Sequence, residues 1–496
     1  GNIDATCNFW GHPSGPYQAS NPLAVGDSVS NNVIYNPWLT APPPGGPCNG
    51  GICYNTVYVD DDYDSTTPGW NIDYFAKIQD GINRVCDCGT VMVEAGTYVE
   101  SIYVVGKNLK LIGNGNPIIK CPASPNDVDL AESSATFEYV VGLFGGTYTG
   151  SNDTVWGPGT ITVEMKGFKI DANDYLPGDR FSAILMRNVN KDHCDGKADI
   201  HHNRIYNVKV DGKQTFGILG YGDMHIRIRG NNINSFSRGG IGIYSGYADI
   251  KNNHVIGPYT GGPLTWAPNG IQLGYGAQGK IWKNNVEKCG YPGTSWSGTG
   301  IIIVDTSNVL IDDNYVHACE QGIAVMDYPG CVGGTVFSGV TSNVDVTNNH
   351  VEFCDWGLEI SNDVDDVLVK DNTFNDITYD GIDVYAYASF GGVWSCANTP
   401  PTNIDIHYNS ITSCGADGLW VGSLVTQTVN ATCNWWGSPN GPTNATLNHF
   451  NVGAQGVNVT GNAQWIEWLF APGDTTCFAP IYNLDTGEPF ACIQEA

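Results

Sequence analysis

One short pattern recurs through the middle of this 496-residue chain and restricts its possible folds more than any other feature. The pattern is apolar-x-x-Asn-x-apolar, as in Ile200 to Ile205, and a second pattern, Gly-apolar-x-apolar, follows each of its first eight copies. An uninterrupted unit is about 22 residues long, which is too short for a strand–helix–strand unit but fits a coil of short strands separated by corners. The repeat therefore predicts an all-β chain folded as a parallel β-solenoid.

Stacked coils of such a solenoid lie about 4.8 Å apart, so equivalent residues form columns along the stack. Asparagine suits a corner because it tolerates the left-handed conformation and its amide can bond to the next coil. We therefore expect the asparagines of the repeat to form a structural ladder. They are Asn203, Asn231, Asn253, Asn284, Asn314, Asn349, Asn372 and Asn409, with Asn434 as a ninth member.

Charge and composition exclude several classes of partner. The chain has 22 basic and 50 acidic residues and a formal charge of −28, so nucleic acid and anionic lipid are not expected partners. No apolar run reaches the length of about 18 residues that a membrane span requires. Sixteen cysteines and four Asn-x-Ser/Thr sequons favour an extracellular or cell-surface location. The expected glycosylation sites are Asn152, Asn430, Asn444 and Asn458.

Upstream of the repeat, Phe75, Ile78, Ile82 and Val85 have the spacing of one amphipathic helix. A helix here would cover the first coil, so we expect an N-terminal capping helix. The predicted organisation is a terminal-coil-like segment at 1–42, a Pro/Gly/Cys linker at 43–54, the capping helix and first coils at 55–112, the β-helix at 113–472 and a cysteine-containing tail at 473–496.

The chain from about Asn55 to Pro472 resembles the right-handed parallel β-helix proteins of the pectin-lyase-like superfamily. The resemblance is greatest to repeat-bearing surface proteins of archaea and bacteria. It implies a right-handed parallel β-helix. It implies little about activity, because this superfamily contains lyases, hydrolases, epimerases, adhesins and inert surface proteins.

The two ends of the chain carry a duplicated segment. Thr6 to Pro16 matches Thr432 to Pro442, and the match resumes at Trp38 and Trp468. Both segments have the character of a closing coil, although the first precedes any solenoid. Its apolar residues, Trp10, Val29, Val33 and Trp38, need a neighbour to cover them. The segment folds back over its own first coils, docks head-to-tail on another copy, or belongs to a longer tandem polypeptide.

The cysteine pairing stays open at this stage. Cys48 with Cys53 and Cys477 with Cys492 are candidates for local loops or for cross-links between subunits. Two insertions each carry one cysteine, Cys331 and Cys396, which form a candidate bridge or two free thiols. We expect Cys86 and Cys88 to pair with Cys121 or other nearby cysteines. The column Cys289, Cys319, Cys354 and Cys414 is expected to fill the core.

Two acidic residues stand out in the outward-facing column of the coils. Glu359 and Asp383 occupy adjacent rungs, about 5 Å apart by strand spacing, and Trp420 follows on the next rung as a candidate sugar platform. This arrangement suits a solvated acidic face, passive cation or glycan binding, or a retaining glycosidase pair. A lyase would also need a base, and no basic residue occurs in the column.

A second acidic cluster, Asp60, Asp62 and Asp64, alternates like a calcium loop but lacks the glycine and the distal glutamate of an EF-hand. A structural Ca²⁺ is the cofactor that this cluster would bind, and no other cofactor is expected. Chance is an adequate alternative explanation in so acidic a chain.

The sequence favours an extracellular structural protein, a filament or surface-layer subunit that binds copies of itself head-to-tail through its N-terminal segment. Two alternatives remain. One is a secreted polysaccharide lyase or glycosidase with the pectin-lyase-like fold, and the other is a monomeric glycan-binding adhesin.

Overall fold

A computed structural model describes the chain except for residues 1–2, 13, 19–20, 22–23, 40–47, 51–52, 134, 150–153, 259–264, 292–295, 328–339, 388–398, 445–453, 478–480, 483–488 and 491–496. Among the described residues, no helix is both long enough and apolar enough to cross a membrane.

The N-terminal segment contains short strands only. They are β1 (Ile3–Asp4), β2 (Pro16–Tyr17), β3 (Gly26–Ser28), β4 (Val33–Ile34), β5 (Trp38–Leu39) and β6 (Cys48–Gly50).

The first coils contain the one α-helix of the described residues and fourteen strands. The elements are β7 (Tyr54–Val59), β8 (Tyr74–Phe75), α1 (Ile78–Arg84), β9 (Val85–Val93), β10 (Thr97–Val99), β11 (Ile102–Val105), β12 (Leu109–Gly113), β13 (Ile118–Lys120), β14 (Asn126–Leu130), β15 (Thr136–Phe144), β16 (Thr147–Thr149), β17 (Thr154–Trp156), β18 (Val163–Lys166), β19 (Lys169–Asp171) and β20 (Arg180–Arg187).

The remaining strands belong to the repeat, to the closing coil and to the C-terminal tail. They are β21 (Asp199–His201), β22 (Arg204–Tyr206), β23 (Gln214–Tyr221), β24 (His225–Arg229), β25 (Asn232–Asn234), β26 (Gly239–Lys251), β27 (His254–Ile256), β28 (Asn269–Trp282), β29 (Asn285–Glu287), β30 (Thr299–Val304), β31 (Ser307–Asp312), β32 (Tyr315–His317), β33 (Gln321–Met326), β34 (Thr341–Thr347), β35 (His350–Glu352), β36 (Trp356–Ser361), β37 (Val364–Lys370), β38 (Thr373–Asn375), β39 (Ile382–Tyr385), β40 (Thr402–His407), β41 (Ser410–Ile411), β42 (Asp417–Val421), β43 (Val429–Asn430), β44 (Pro442–Thr443), β45 (Gly456–Thr460), β46 (Ala463–Gln464), β47 (Ile481–Tyr482) and β48 (Pro489–Phe490).

Three parallel ladders run along the solenoid. Sheet A runs from β11 through β15, β20, β23, β26, β28, β30, β33, β36, β39 and β42 to β45. Sheet B runs from β7 to β46 and shares the long bent strands β26 and β28 with sheet A. Sheet C contains eleven strands of two or three residues each, from β10 through β13, β19, β22, β25, β27, β29, β32, β35 and β38 to β41. The stacked coils confirm the parallel β-helix that the repeat predicts.

The asparagines of the repeat form one continuous buried ladder. The backbone N–H and the Nδ2 of Asn231 both donate to Oδ1 of Asn253 at 3.0 Å, and the pattern continues to Asn409, which donates to Oδ1 of Asn434 at 2.9 and 3.0 Å. The left-handed residue lies one position earlier, for example at Asn252 with φ 52° and at Cys433 with φ 60°. Asparagine is therefore required for its amide rather than for the left-handed backbone that the sequence suggested.

Alternation along each strand fills the core between the sheets. In β36, Leu358 and Ile360 point inward and are fully buried, and the column Cys289, Cys319 and Cys354 is buried and free of disulfides. Burial raises the pKa of the Cys319 thiol well above its ordinary value, so this thiol stays protonated.

The predicted helix is present but shorter than its spacing suggested. Helix α1 covers Ile78–Arg84, while Phe75 ends β8 and Val85 begins β9. Its Ile78 and Ile82 are buried, and Gly81 faces the side chains of β7 and β9. That α1 acts as a cap for the solenoid remains a prediction.

Three disulfides among the described residues correct the open cysteine pairings. Cys53 pairs with Cys86 rather than with Cys48, and Cys88 pairs with Cys194, so neither Cys86 nor Cys88 uses Cys121, which is free. Cys477 pairs with Cys433 rather than with Cys492. Spacing in the sequence misled here because stacking brings distant coils together. Cys331, Cys396 and Cys492 lie outside the described residues, and only the backbone of Cys48 is described.

Candidate active site

A cleft of about 510 Å³ lies on the outer face of sheet A, across β33, β36, β39 and β42. Adjacent coils align the residues of the outward column, so Glu359 pairs in register with Asp383, and Asp383 with Trp420. The lining consists of Ser297, Gln321, Trp356, Glu359, Asp380, Asp383, Tyr385, Tyr387, Ala416, Asp417 and Trp420. The structure thus brings together the three outward residues that the sequence singled out.

The carboxylate of Glu359 is held by hydrogen-bond donors. Gln321 donates to one oxygen through Nε2, and the hydroxyl of Ser361 donates to the other at 2.6 Å. The hydroxyl of Tyr387 also approaches that second oxygen at 3.5 Å. Glu359 is buried, with 6% of its surface exposed. Donors on both oxygens fix the orientation of this carboxyl group.

Asp383 has a different environment one rung further along. Burial first, and then the neighbouring Asp380 and Glu359, raise the pKa of Asp383 to about 8. Its Oδ1 is buried and makes no hydrogen bond among the described residues. The carboxyl of Asp380 bonds to Asp383 and also accepts the backbone N–H of Asp417 at 2.8 Å. Asp383 therefore holds a proton at neutral pH beside two other carboxyl groups.

Aromatic side chains form the walls of the cleft. The hydroxyl of Tyr385 donates to that of Tyr387 at 2.5 Å, and burial raises the pKa of both phenols. Trp420 is 36% exposed and tilts towards Tyr385 at 5.7 Å between ring centroids. Trp356 stacks on Tyr379 at 4.7 Å. Exposed flat rings beside carboxyl groups offer apolar platforms with polar neighbours, as sugar rings require.

Reasoning from the sequence missed Gln321, Asp380, Tyr385 and Tyr387. Tyr385 and Tyr387 were detectable, since they lie two and four positions after Asp383, where a strand repeats its outward face. Gln321 begins β33 and Asp380 lies in the corner before β39, and each comes immediately before the glycine of its Gly-apolar-x-apolar pattern. This shared position before the repeat glycine is the signal that could have indicated them, since Trp356 and Asp417 hold it too and also line the cleft.

The predicted calcium loop does not gather its carboxylates. Asp60 accepts the backbone N–H of Asp62, and Asp64 accepts the N–H and hydroxyl of Thr66, so these residues form local turns. Among the described residues, the single trio of metal-ligating atoms within 4.8 Å of one another is Cys433, Glu467 and Cys477. Two of those three are joined in a disulfide, so they are not available as thiolate ligands.

Three predicted glycosylation sites are described, and each uses its amide inside the fold. The Nδ2 groups of Asn430, Asn444 and Asn458 donate to Asp405, to the Val459 carbonyl and to Asp417 respectively. N-glycosylation replaces one of the two hydrogens of Nδ2 and leaves the other able to donate, so glycans at these positions remain a prediction. The fourth predicted site, Asn152, lies outside the described residues.

The predicted assembly residues pack within the N-terminal segment. Trp38 is 7% exposed and covers Gly15, while Trp10, Val29 and Val33 are half-buried. The segment shares a cavity of about 300 Å³ with the start of the solenoid, lined by Val33, Trp38, Tyr54, Ile72 and Arg84 among others. It therefore lies against its own first coils at this side.

Comparisons with known proteins agree with this architecture. Residues 182–338 match the family model described as "Right handed beta helix region". A search of curated proteins finds no match.

Three solved structures illustrate the similarity. The A-module of the Azotobacter vinelandii mannuronan C-5 epimerase AlgE6 is 13% identical, covering 78% of this chain and 91% of its own, with a TM-score of 0.42. The Dettilon tailspike protein is 16% identical, covering 83% and 67%, with a TM-score of 0.39. A rhamnogalacturonan lyase is 12% identical, covering 73% and 84%, with a TM-score of 0.34. The match to the family model over residues 182–338 and the stacked parallel coils together identify the fold of this chain as a right-handed parallel β-helix.

Proposed function

We propose that the cleft hydrolyses glycosidic bonds in a neutral glycan, with Asp383 as the acid and Glu359 as the nucleophile. One observation carries the proposal. Asp383, whose pKa is raised to about 8, retains its proton on the rung next to the oriented carboxylate of Glu359. Two carboxyl groups whose environments differ in this way are the pattern of an acid paired with a charged partner.

The reaction follows from these two groups. Asp383 gives its proton to the glycosidic oxygen as the bond from that oxygen to the anomeric carbon breaks, while Glu359 attacks the anomeric carbon and forms a glycosyl ester. A water molecule then displaces Glu359 and gives a proton back to Asp383. Adjacent rungs place the two residues about 5 Å apart, which suits this double displacement with retained configuration.

The charge of the cleft favours a neutral substrate. The described lining contains no lysine, arginine or histidine, and four of its residues are acidic. A uronate polymer would meet repulsion here, and the described lining offers no basic side chain to act as the base of a lyase. The platforms Trp356 and Trp420 instead fit the apolar faces of uncharged sugar rings. Disulfides support a location outside the reducing cytosol.

Reducing-end assays on a panel of neutral and acidic glycans test this proposal. We expect cleavage of a neutral glycan, and Asp383→Asn and Glu359→Gln each to lower kcat about a thousandfold or more. Asp376→Asn is the matched control, because Asp376 is exposed at a corner, has φ 52° and lies outside the cleft. We expect this variant to keep full activity, and activity should decline as pH rises through about 8, where Asp383 loses its proton.

Two other results would replace the enzyme assignment. Binding of a neutral glycan that Trp420→Ala removes, with no cleavage of any glycan, would indicate an adhesin. Activity on acidic glycans that yields unsaturated products would indicate a lyase and contradict the proposed roles.

A structural role is a second proposal, favoured by the duplicated ends of the chain. Residues 3–34 and 429–464 contain the same two pairs of parallel strands, which is the property expected of an element that joins β-helix units end to end. Electron microscopy that shows periodic fibres of the purified chain would support a filament or surface-layer subunit. Isolated particles would remove that support without affecting the cleft.

A further inference from the structure

The C-terminal segment shows how a closing coil docks on the coil before it. Asn434 accepts both bonds from Asn409 through Oδ1, and its Nδ2 donates to the Ile406 carbonyl at 2.7 Å. The backbone of Trp435 donates to the Asn409 carbonyl and accepts from Ile411, both at 2.8 Å. This face of residues 429–436 is consequently buried.

Residues 3–10 present the same face, and no strand of the described residues pairs with it there. They differ from residues 429–436 at three positions only, which are Ile3, Asp4 and Phe9 in place of Val429, Asn430 and Trp435. Asn8 makes the same internal bonds as Asn434, from Nδ2 to the carbonyls of Ala5 at 2.9 Å and Thr6 at 3.2 Å.

In the C-terminal segment, several polar groups bond to the preceding coil. The equivalent groups of residues 3–10 have no such partner among the described residues. In the described part of the chain, neither Oδ1 of Asn8 nor the backbone N–H and C=O of Phe9 makes a hydrogen bond. Ile3 is 65% exposed, whereas the equivalent Val429 is 2% exposed. We call Ile3, Asp4, Asn8 and Phe9 the ladder face of the N-terminal segment.

We propose that the ladder face docks on the uncapped last coil of another asparagine-ladder β-helix. That coil supplies an asparagine whose N–H and Nδ2 reach Asn8, and a strand edge that pairs with Phe9. The interface is the same as the one that residues 402–411 form with residues 429–436 inside this chain. The inference is independent of the proposed chemistry in the cleft.

Charge restricts the partner further. In this chain Asp405 lies opposite Asn430 and accepts its Nδ2 at 2.8 Å. The N-terminal segment has Asp4 at the equivalent position, and two carboxylates directly opposite each other on adjacent strands repel. The docked coil therefore carries an amide or a cation where this chain carries Asp405.

A second copy of this chain does not meet these requirements. Its matching coil is already covered by its own residues 429–436, and that coil would set Asp405 against Asp4. The proposed partner is therefore a different β-helix unit, and the head-to-tail contact between identical copies stays the alternative that fibres of the purified chain would support.

A full-length variant tests whether the ladder face fits such a coil. Val429→Ile, Asn430→Asp and Trp435→Phe convert residues 429–436 into the sequence of residues 3–10. We expect this triple variant to lose amide protection at residue 435 about tenfold, because the carboxylate introduced at position 430 faces Asp405. Adding Asp405→Asn to the triple variant should restore protection to within about threefold of wild type. Asp376→Asn in place of Asp405→Asn is the control that should restore nothing.

Each outcome decides the proposal. Loss of protection that Asp405→Asn does not restore would show that the ladder face does not fit an asparagine-ladder coil. Analytical ultracentrifugation of the unmodified chain tests whether the partner is a second copy of this chain. We expect a monomer at tens of micromolar, and concentration-dependent chains that Asn8→Ala dissolves would assign the partner to a second copy and overturn the proposal.

Discussion

The two ends of this β-helix contain nearly the same sequence in different surroundings. At both ends a strand that begins with proline pairs in parallel with a strand that begins with glycine. Pro16 lies opposite Gly26 at one end, and Pro442 lies opposite Gly456 at the other. At both ends a tryptophan also covers a glycine, as Trp38 does Gly15. Sequence therefore determines the shape of the closing coil, with or without a preceding coil.

Burial differs between the ends where shape does not. Asn434 and Trp436 are fully buried, whereas Asn8 is exposed and Trp10 is half-buried. The strands β43 and β46 belong to sheet B of the solenoid, but β1 and β4 form a separate two-stranded sheet. The neighbouring coil therefore decides how strongly the same residues stabilise the fold.

The largest difference between the two ends should appear when the equivalent tryptophans are removed. Trp436→Ala empties a site with 0% exposure and should lower the free energy of unfolding of the C-terminal coils by about 3 to 5 kcal/mol. Trp10→Ala should cost about half as much or less, since part of its ring is already in water. Chemical denaturation of both variants measures the difference, and equal losses would contradict the role of the neighbouring coil.

The ladder asparagines should show the next largest difference. Asn434→Ala leaves the buried N–H and Nδ2 of Asn409 without their acceptor, which should cost about 2 to 4 kcal/mol. Asn8→Ala removes only two exposed bonds and should cost less than about 1 kcal/mol. Thermal unfolding of the two single variants and the double variant checks this, and additive losses are expected because the sites are independent.

These contrasts show which features of the structure can be predicted from the sequence. The repeat predicted the parallel coils, the ladder and the register of Glu359 with Asp383, since all three follow from period and spacing. It did not predict that Cys53 would pair with Cys86, because that pairing depends on which coils lie side by side near α1. The proton on Asp383 was also hidden, since it results from burial and from Asp380 across a coil corner.

A third prediction concerns pH. The pKa of Asp383 is raised to about 8 in the folded chain, so its contribution to stability is greatest at low pH and is lost as pH rises through about 8. Asp383→Asn removes this loss, and we expect it to raise Tm by a few degrees at pH 9 while leaving Tm unchanged near pH 4.

The N-terminal segment has no equivalent of this buried acid in its described part, so the pH effect should be confined to the C-terminal half of the stack. Hydrogen exchange at pH 5 and pH 9 locates the effect. An equal increase in amide exchange at Phe9 and at residues 359–383 between pH 5 and pH 9 would contradict that assignment. So would a Tm of Asp383→Asn equal to that of the wild type at pH 9.

Amide hydrogen exchange at Phe9 and Trp435 in one sample tests most directly the claim that the N-terminal segment is a closing coil with an open face. The N–H of Trp435 is bonded to the Asn409 carbonyl at 2.8 Å, while that of Phe9 is unbonded in the described structure. We predict that the amide of Phe9 exchanges at least about a thousandfold faster than that of Trp435. Equal protection of the two amides would show that the ladder face is already filled and would contradict the account.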